Sequence, residues 1–394
     1  MIDGGVRLPE SSARKQQLLI AAVFFCTFAG AGAVQPYVVP LLECEGGDVG
    51  RGSLVLAAVY LTFALARQFV ALVVPRLGMS RGVRIGSIGY ALFVLALLAC
   101  RSFGLLLAAS VVWGLTASLF WGCTSMRVLE LAQDRRYGKA AGRLYFATRA
   151  GMIVGVLAQG WLHRSGVAGR AAYLHLLLWA VTASTLAAAL TLGLPPAQDE
   201  RLVSTPPQYR RWLTDRRMLT VVFCLSMSAL AYGLCLRQLN TQIEAHIGAS
   251  NIGLVLMPFY VMQALVSMLS GSLSDRFGRE PVWCVGFLLG AAGTFLGAAG
   301  GHWVAFMVSA GLLGCMFGTI PTVALAWIGD LTTKENRLPL HGFLFGWRDI
   351  GVAIPLLAGA WFQNAVVLPA IGVATLCCAL LIWFIPRGSA PRAA

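Results

Sequence analysis

The sequence predicts an all-α membrane protein, twelve transmembrane helices arranged as two pseudo-symmetric six-helix bundles. Three observations carry this reading. The 394-residue chain is 58% hydrophobic and 12% charged, where a soluble protein carries roughly 25% charged residues. Twelve apolar windows are each long enough to cross about 30 Å of hydrocarbon. Finally, residues 54 to 161 lie over residues 254 to 361 without a gap: Leu54-Val55-Leu56 on Leu254-Val255-Leu256, Tyr60 on Tyr260, Arg76-Leu77-Gly78 on Arg276-Phe277-Gly278, Gly86 on Gly286, Gly114 on Gly314, Gly142 on Gly342, Gly151 on Gly351 and Trp161 on Trp361. Two copies of one helical unit read as bundles related by an axis along the membrane normal, so the functional site is expected between them.

The windows fall at roughly 18–42, 53–75, 82–100, 103–126, 143–162, 171–194, 218–240, 251–273, 281–300, 302–328, 341–362 and 364–386. The first follows Arg14 and Lys15 and contains Ala29-Gly30-Ala31-Gly32-Ala33, a pattern that raises a cleaved signal peptide. It runs on apolar through Pro40-Leu41-Leu42, however, and has a counterpart at 218–240, so it is read as a spanning helix. Pro36, Pro40, Pro258, Pro321 and Pro355 each remove a backbone hydrogen bond and are expected to bend their helices. Small residues such as Gly151 and Gly155 in window 5 offer close helix contacts. The polar stretch from Pro195-Pro196 to Arg216-Arg217 is the longest after the N-terminus. It divides the chain into an N-terminal bundle (1–194), a linker (195–217) and a C-terminal bundle (218–394).

The net charge of +14 is first a topology signal. Twenty-one of the 30 Lys and Arg residues lie in the termini and even-numbered loops, whereas the odd-numbered loops hold only Arg51, Arg101, Arg164 and Arg170. By the positive-inside rule both termini are cytoplasmic, and no nucleic-acid partner is expected. The ten cysteines show no zinc or redox spacing and read as packing residues, with Cys44 expected to face outside. No metal site is expected.

The loop after window 8 reads Gly271-Ser272-Leu273-Ser274-Asp275-Arg276-Phe277-Gly278-Arg279. Gly278 permits a tight turn, Arg276 and Arg279 can reach lipid phosphate, and Asp275 can accept hydrogen bonds at a helix N-terminus. This loop resembles the signature loop of the major facilitator superfamily. With the repeat, the twelve windows and the central linker, the resemblance covers essentially the whole chain. It implies a transporter in which Asp275 latches the inner side of the second half to the first, near Gly142 and Arg143 at the start of window 5. The chain also departs from the pattern. Pro75 stands at the aspartate position of the first half, and Ser110 stands where many proton-driven drug exporters of the superfamily carry an arginine four residues before Gly114.

A charge inside hydrocarbon costs about 2.5–3.5 kcal/mol on insertion scales, so each one calls for a partner or a purpose. Arg67, Arg127, Arg149, Arg237 and Arg348 lie within windows, with Asp349 the carboxylate well inside one. The superfamily's arrangement sets windows 2 and 11 face to face, which predicts an Arg67–Asp349 bridge roughly 12 Å deep. Arg149 coincides with Asp349 under the repeat, and Arg149, Arg348 and Asp349 read as gate or cavity groups. Asp349 would be the titrating group of a proton-coupled cycle; an arginine beside it would hold it ionised and argue against that role. Arg127 and Glu130, three residues apart, read as a local ion pair, and Arg237 as either snorkelling to the interface or attracting anions. Gln35, Tyr37, Trp121, Thr124, Tyr232, Gln238, Thr319 and Trp327, with Tyr145 and Tyr260, are the cavity-lining candidates.

Aromatic residues and several arginines around one carboxylate favour an anionic or zwitterionic small organic solute, moved by alternating access between the halves. A proton-coupled multidrug or metabolite efflux pump is the alternative within transport, and a non-transporting receptor the alternative outside it. Enzymatic function is not expected: the short loops leave no room for a catalytic domain, the five histidines form no cluster, and no phosphate-binding Gly-rich loop is present. No cofactor is expected beyond, for energy, a proton gradient. The partners are the solute and the lipid bilayer, the chain acting as a monomer in a membrane taken to be the bacterial inner membrane.

Overall fold

A computed structural model describes residues 10–44, 49–163, 167, 169–196, 207–247, 252–358 and 366–385. Arg7, Arg164, Arg201, Arg387 and Arg392, the 197–206 part of the expected linker and Trp361 of the repeat lie outside the described residues.

The first span is α1 (Glu10–Thr27), a π-helical segment (Phe28–Gly32) and α2 (Ala33–Glu43). Then come α3 (Val49–Leu77), α4 (Met79–Ala99), α5 (Phe103–Glu130), α6 (Tyr137–Leu162) and α7 (Leu174–Leu190), which complete the first bundle. A short helix, α8 (Tyr209–Thr214), precedes the second bundle of α9 (Arg216–Ile247), α10 (Ile252–Phe277), α11 (Arg279–Ala299), α12 (Trp303–Leu331), α13 (Lys334–Ala358) and α14 (Val367–Trp383). The end of the molecule that carries the start of α1 is termed inner.

Among the described residues nine segments are long and apolar enough to cross a membrane by length and composition alone. The other three spans are α6, α13 and the 17 described residues of α14. The shortfall in α6 and α13 has a chemical cause: α6 carries Lys139, Arg143 and Arg149, and α13 carries Lys334, Glu335, Arg337, Arg348 and Asp349. Large apolar side chains such as Leu65, Leu105, Leu254 and Val373 remain exposed on outward faces, as lipid contact requires.

The repeat visible in the sequence is also a packing repeat. A Cβ placed on Gly114 would lie 2.6 Å from the Val59 carbonyl oxygen, and one on Gly314 would meet the Phe259 carbonyl in the same way. Each pair is displaced from the other by the same 200 residues. Gly78 and Gly278, at φ 86° and 94°, turn the chain into α4 and α11, a backbone region that L side chains avoid.

The first span does not simply bend at its prolines. Pro36 donates no hydrogen bond to the turn before it, and that turn is π-helical, which leaves carbonyls without their usual partners. They are satisfied from outside: Gln159 Nε2 donates to Ala29 O and Gly30 O at 3.3 and 3.1 Å, and Trp179 Nε1 donates to Ala29 O at 3.1 Å. Ser184 Oγ accepts from Ala31 N at 3.0 Å. The glycine-rich sequence that suggests a cleavage site is thus a fully buried helix break held by α6 and α7.

Candidate functional site: the charged centre and the inner latch

The halves meet along two antiparallel seams, α3 against α13 and α6 against α10. Both depend on a glycine at the crossing. A Cβ on Gly142 would sit 2.8 Å from the Ser267 carbonyl oxygen, and Gly342 faces the Arg67 carbonyl just as closely. The backbones therefore approach to a separation that any side chain would hold apart.

In α3 the Cα–Cβ bonds lean toward the outer end and in α13 toward the inner end, because each points to its own helix N-terminus. Arg67 and Asp349 consequently reach toward each other. Arg67 Nε lies 2.6 Å from Asp349 Oδ2, and Arg348 Nη1 lies 2.9 Å from Asp349 Oδ1. Asp349 is wholly buried and Arg67 nearly so, while Arg348 is 24% exposed. The Arg67 guanidinium also lies over the Phe63 ring, 4.1 Å from its centroid, which supports a charge with little access to water.

Arg149 on α6 differs. Its Nη1 lies 3.6 Å from the Met152 thioether sulfur, and its buried Nε has no hydrogen-bond partner. Its electrostatic neighbours are Tyr232, Arg348, Tyr145 and Tyr60, which are phenols and a second cation. Arg149 sits twelve residues into α6, about 18 Å along the axis at 1.5 Å per residue. Three guanidiniums and one carboxylate thus share one level of the bundle, leaving two positive charges uncompensated.

Around this centre, Tyr60 donates to Gln35 Oε1 at 2.9 Å, and Trp121 Nε1 donates to Tyr90 at 3.1 Å with its ring 5.8 Å from that of Tyr145. Tyr232 meets Phe317 edge-on at 5.2 Å, and Tyr260 meets Phe259 edge-on at 5.1 Å. Thr124 is buried with an unsatisfied hydroxyl. Other expected cavity residues pack against different groups. Tyr37 stacks on His163 at 6.4 Å, Thr319 packs against Gly286 of α11, and Trp327 meets Trp283 edge-on at 5.3 Å beneath the Arg217 guanidinium. Gln238 is buried in α9 and Arg237 is exposed.

The inner end holds a second polar cluster. Asp275 Oδ1 and Oδ2 accept from the backbone N–H groups of Gly138 and Lys139, both at 2.8 Å. The latch therefore engages one turn ahead of Gly142 and Arg143, because α6 begins at Tyr137, six residues before its apolar window. A hydropathy window ends where charge begins, whereas the helix continues through the interface. Arg279 bonds both Asp275 and Asp330 at 2.7 Å, and the Gly271 and Gly138 backbones touch. Arg276, exposed, lies against the Phe277 ring.

The sequence reading missed several members of these clusters. Tyr60 was recoverable, since the repeat places it on Tyr260. Arg337, whose Nη2 donates to the Tyr137 hydroxyl at 2.7 Å across the halves, had no local signal. Nor did Tyr209 of α8, which donates to Gln68 O at 3.2 Å and burdens a charged, proline-rich stretch with an aromatic contact to Phe343. Arg127 donates to Pro195 O, beyond α7, at 2.7 Å and to Gln16 at 3.2 Å.

A profile of the Major Facilitator Superfamily matches residues 20–243 and 238–394. The chain belongs to the Major Facilitator Superfamily. Members of this family are transporters rather than enzymes, and this one is an integral, multi-pass membrane protein. Among similar proteins, the inner membrane transport protein YajR of Escherichia coli (strain K12) is 31% identical over 178 residues, 43% of this chain and 38% of that protein. The class H tetracycline resistance protein of Pasteurella multocida is 26% identical over 150 residues, 37% of each. The multidrug transporter QDR2 of Candida glabrata is 27% identical over 179 residues, 42% of this chain and 29% of that one. The chain thus spans about two-fifths or less of the length of the curated relatives it matches. Among solved structures, the proton:xylose symporter XylE bound to 6-bromo-6-deoxy-D-glucose superposes with a TM-score of 0.79 at 14% identity, covering 96% of this chain and 97% of that one. The transporter FucP in the outward conformation gives 0.70 at 16%, over 95% and 99%. At such identities the likeness is one of fold.

Proposed function

We propose that this superfamily member is a secondary active transporter for a small organic solute that is anionic or zwitterionic. The observation that carries the reading is the charge imbalance at the centre. Arg67 and Arg348 share Asp349, and Arg149 makes no ion pair among the described residues. An unpaired guanidinium at mid-depth is costly unless a ligand supplies its counter-charge. The joined inner ends, with Asp275, Arg337 and Gly342 across the seams, suit a state in which the solute reaches the centre from the other side. Both termini are proposed to be cytoplasmic and the membrane bacterial, in keeping with the arginine distribution.

The test is thermal stabilisation of the purified protein by a panel of anionic, zwitterionic and cationic metabolites. A solute at 100 times its dissociation constant adds about 2.7 kcal/mol. Stabilisation by an anion or zwitterion, lost in Arg149→Ala, is the expected result.

A second reading, a proton-coupled efflux pump, is favoured by the tetracycline-resistance and multidrug relatives, whereas the two arginines on Asp349 argue against its titrating in such a cycle. Stabilisation by lipophilic cations alone would put it first. Ligand binding without flux in liposomes would instead support a receptor.

A further inference from the structure

A cavity of about 270 Å³ opens at the inner end, away from the charged centre, between the start of α1, the turn after α5 and the first two turns of α6. Four cations line it: Arg14 from α1, and Arg136, Lys139 and Arg143 from the turn and α6. One carboxylate, Asp134, accompanies them, and among the described residues none of the four makes an ion pair. The four cations are exposed to solvent, and one of them is held in place. Gln17 on its wall accepts from Arg143 Nη1 at 2.9 Å and donates to Leu131 O at 2.7 Å, tying α1 to α6 and to the end of α5.

We propose that this cavity holds the phosphate of an anionic phospholipid headgroup. Its volume is below the roughly 300–1,000 Å³ of pockets that enclose drug-sized ligands, and its charge asks for a compact anion. Two features favour a lipid over a free anion. The cavity's cations lie at or just before the starts of the apolar windows at 18 and 143, where basic headgroup sites are usual. Leu18, one turn beyond Arg14 on the same face of α1, is 62% exposed and offers an acyl chain an apolar contact. The occupied turn is also the one whose Gly138 and Lys139 N–H groups hold Asp275. Site and latch thus lie on opposite faces of one helical turn. This inference needs only that the inner end faces a leaflet, and it stands whether or not the transported solute is an anion.

Native mass spectrometry of the full-length protein, released from nanodiscs of mixed phosphatidylcholine and phosphatidylglycerol, tests it directly. The wild type is expected to retain one phosphatidylglycerol in preference, less so as salt rises. Each cation near a membrane surface is worth about a fivefold change in affinity, so Arg14→Gln with Arg136→Gln should bind the lipid roughly 25-fold more weakly. Lys15→Gln, exposed and outside the cavity, should behave as wild type. Equal retention by all three proteins, or a preference insensitive to salt in the wild type, overturns the proposal. So does stabilisation of the lipid-free wild type by millimolar inorganic phosphate without preferential lipid retention, which would assign the cavity to a soluble anion.

Discussion

Replacing Asp349 with Asn removes one negative charge from a site where two guanidiniums converge on it. Arg67 is 2% exposed and Asp349 is 0% exposed, so the remaining cation cannot turn to water without rearranging the α3–α13 seam. Breaking a buried pair by removing one partner costs about 3–5 kcal/mol, most of it the penalty of the charge left behind. Asparagine preserves volume and one acceptor, and Arg348 has a partly exposed route out, which places Asp349→Asn near the low end, about 3 kcal/mol. At 2–4 °C per kcal/mol for a unit of 150–250 residues, the apparent melting temperature should fall by roughly 6–12 °C. Tryptophan fluorescence during heating in detergent would read it. Adding Arg67→Gln removes the orphaned charge, so the double variant should be less destabilised than the sum of the singles, with a coupling of at least about 1 kcal/mol. A single variant that melts like wild type, or singles that add without coupling, would refute the buried-pair argument. If the single variant folds, loss of pH dependence in its transport would favour the proton-coupled reading.

Asp275→Asn should leave melting nearly unchanged but weaken the inner latch, since the charge-assisted bonds to Gly138 N, Lys139 N and Arg279 fall toward neutral strength. A loss of about 1.5–3 kcal/mol lowers the inner-closed population relative to open by roughly tenfold or more, to be read from distances between spin labels at the inner ends. Wild-type distance distributions and transport rates would sink the latch. Gly342→Val places a branched side chain against the Arg67 carbonyl, and it should abolish inner closure while each bundle still folds; inner-end distances identical to wild type would contradict it.

The helices, the duplication and the buried ion pair were legible because each has a local or periodic signature. Hydropathy marks the spans, a fixed offset marks the repeat, and the cost of a charge in hydrocarbon singles out five arginines and Asp349, of which the superfamily's arrangement pairs Arg67 with Asp349. What was not legible is satisfied at long range by the backbone. The π-helical turn at Phe28–Gly32 depends on Gln159 and Trp179, more than 100 residues away, and Arg127 on the carbonyl of Pro195. A carbonyl carries no residue-type signal, so its partner cannot be guessed from composition. Cavity residues were the least legible for a related reason. Tyrosine and tryptophan serve packing and ligand contact alike, and only the helix rotation separates Tyr232, beside the centre, from Trp327, packed on Trp283.

The two copies are alike where backbones touch and unlike where charges meet. A crossing that needs only the absence of a side chain can use the same glycine twice, as Gly142 and Gly342 do. A duplicated ion pair would need an arginine at position 267 and a carboxylate at position 149, facing each other across the α6–α10 seam, and the chain carries neither. At the equivalent positions the chain carries Arg149 against Asp349, Ser267 against Arg67 and Pro75 against Asp275. The ion pair then holds the α3–α13 seam at mid-depth, while the corresponding point of the α6–α10 seam keeps a cation with no acidic partner and gains the Asp275 latch at its inner end. One seam is therefore closed by its own charges, and the other is left to be completed by what enters the centre. On this reasoning Arg149→Asp would cancel the excess positive charge, and solute preference should move toward cations if the centre is the binding site. An unchanged preference in a folded variant would place recognition elsewhere.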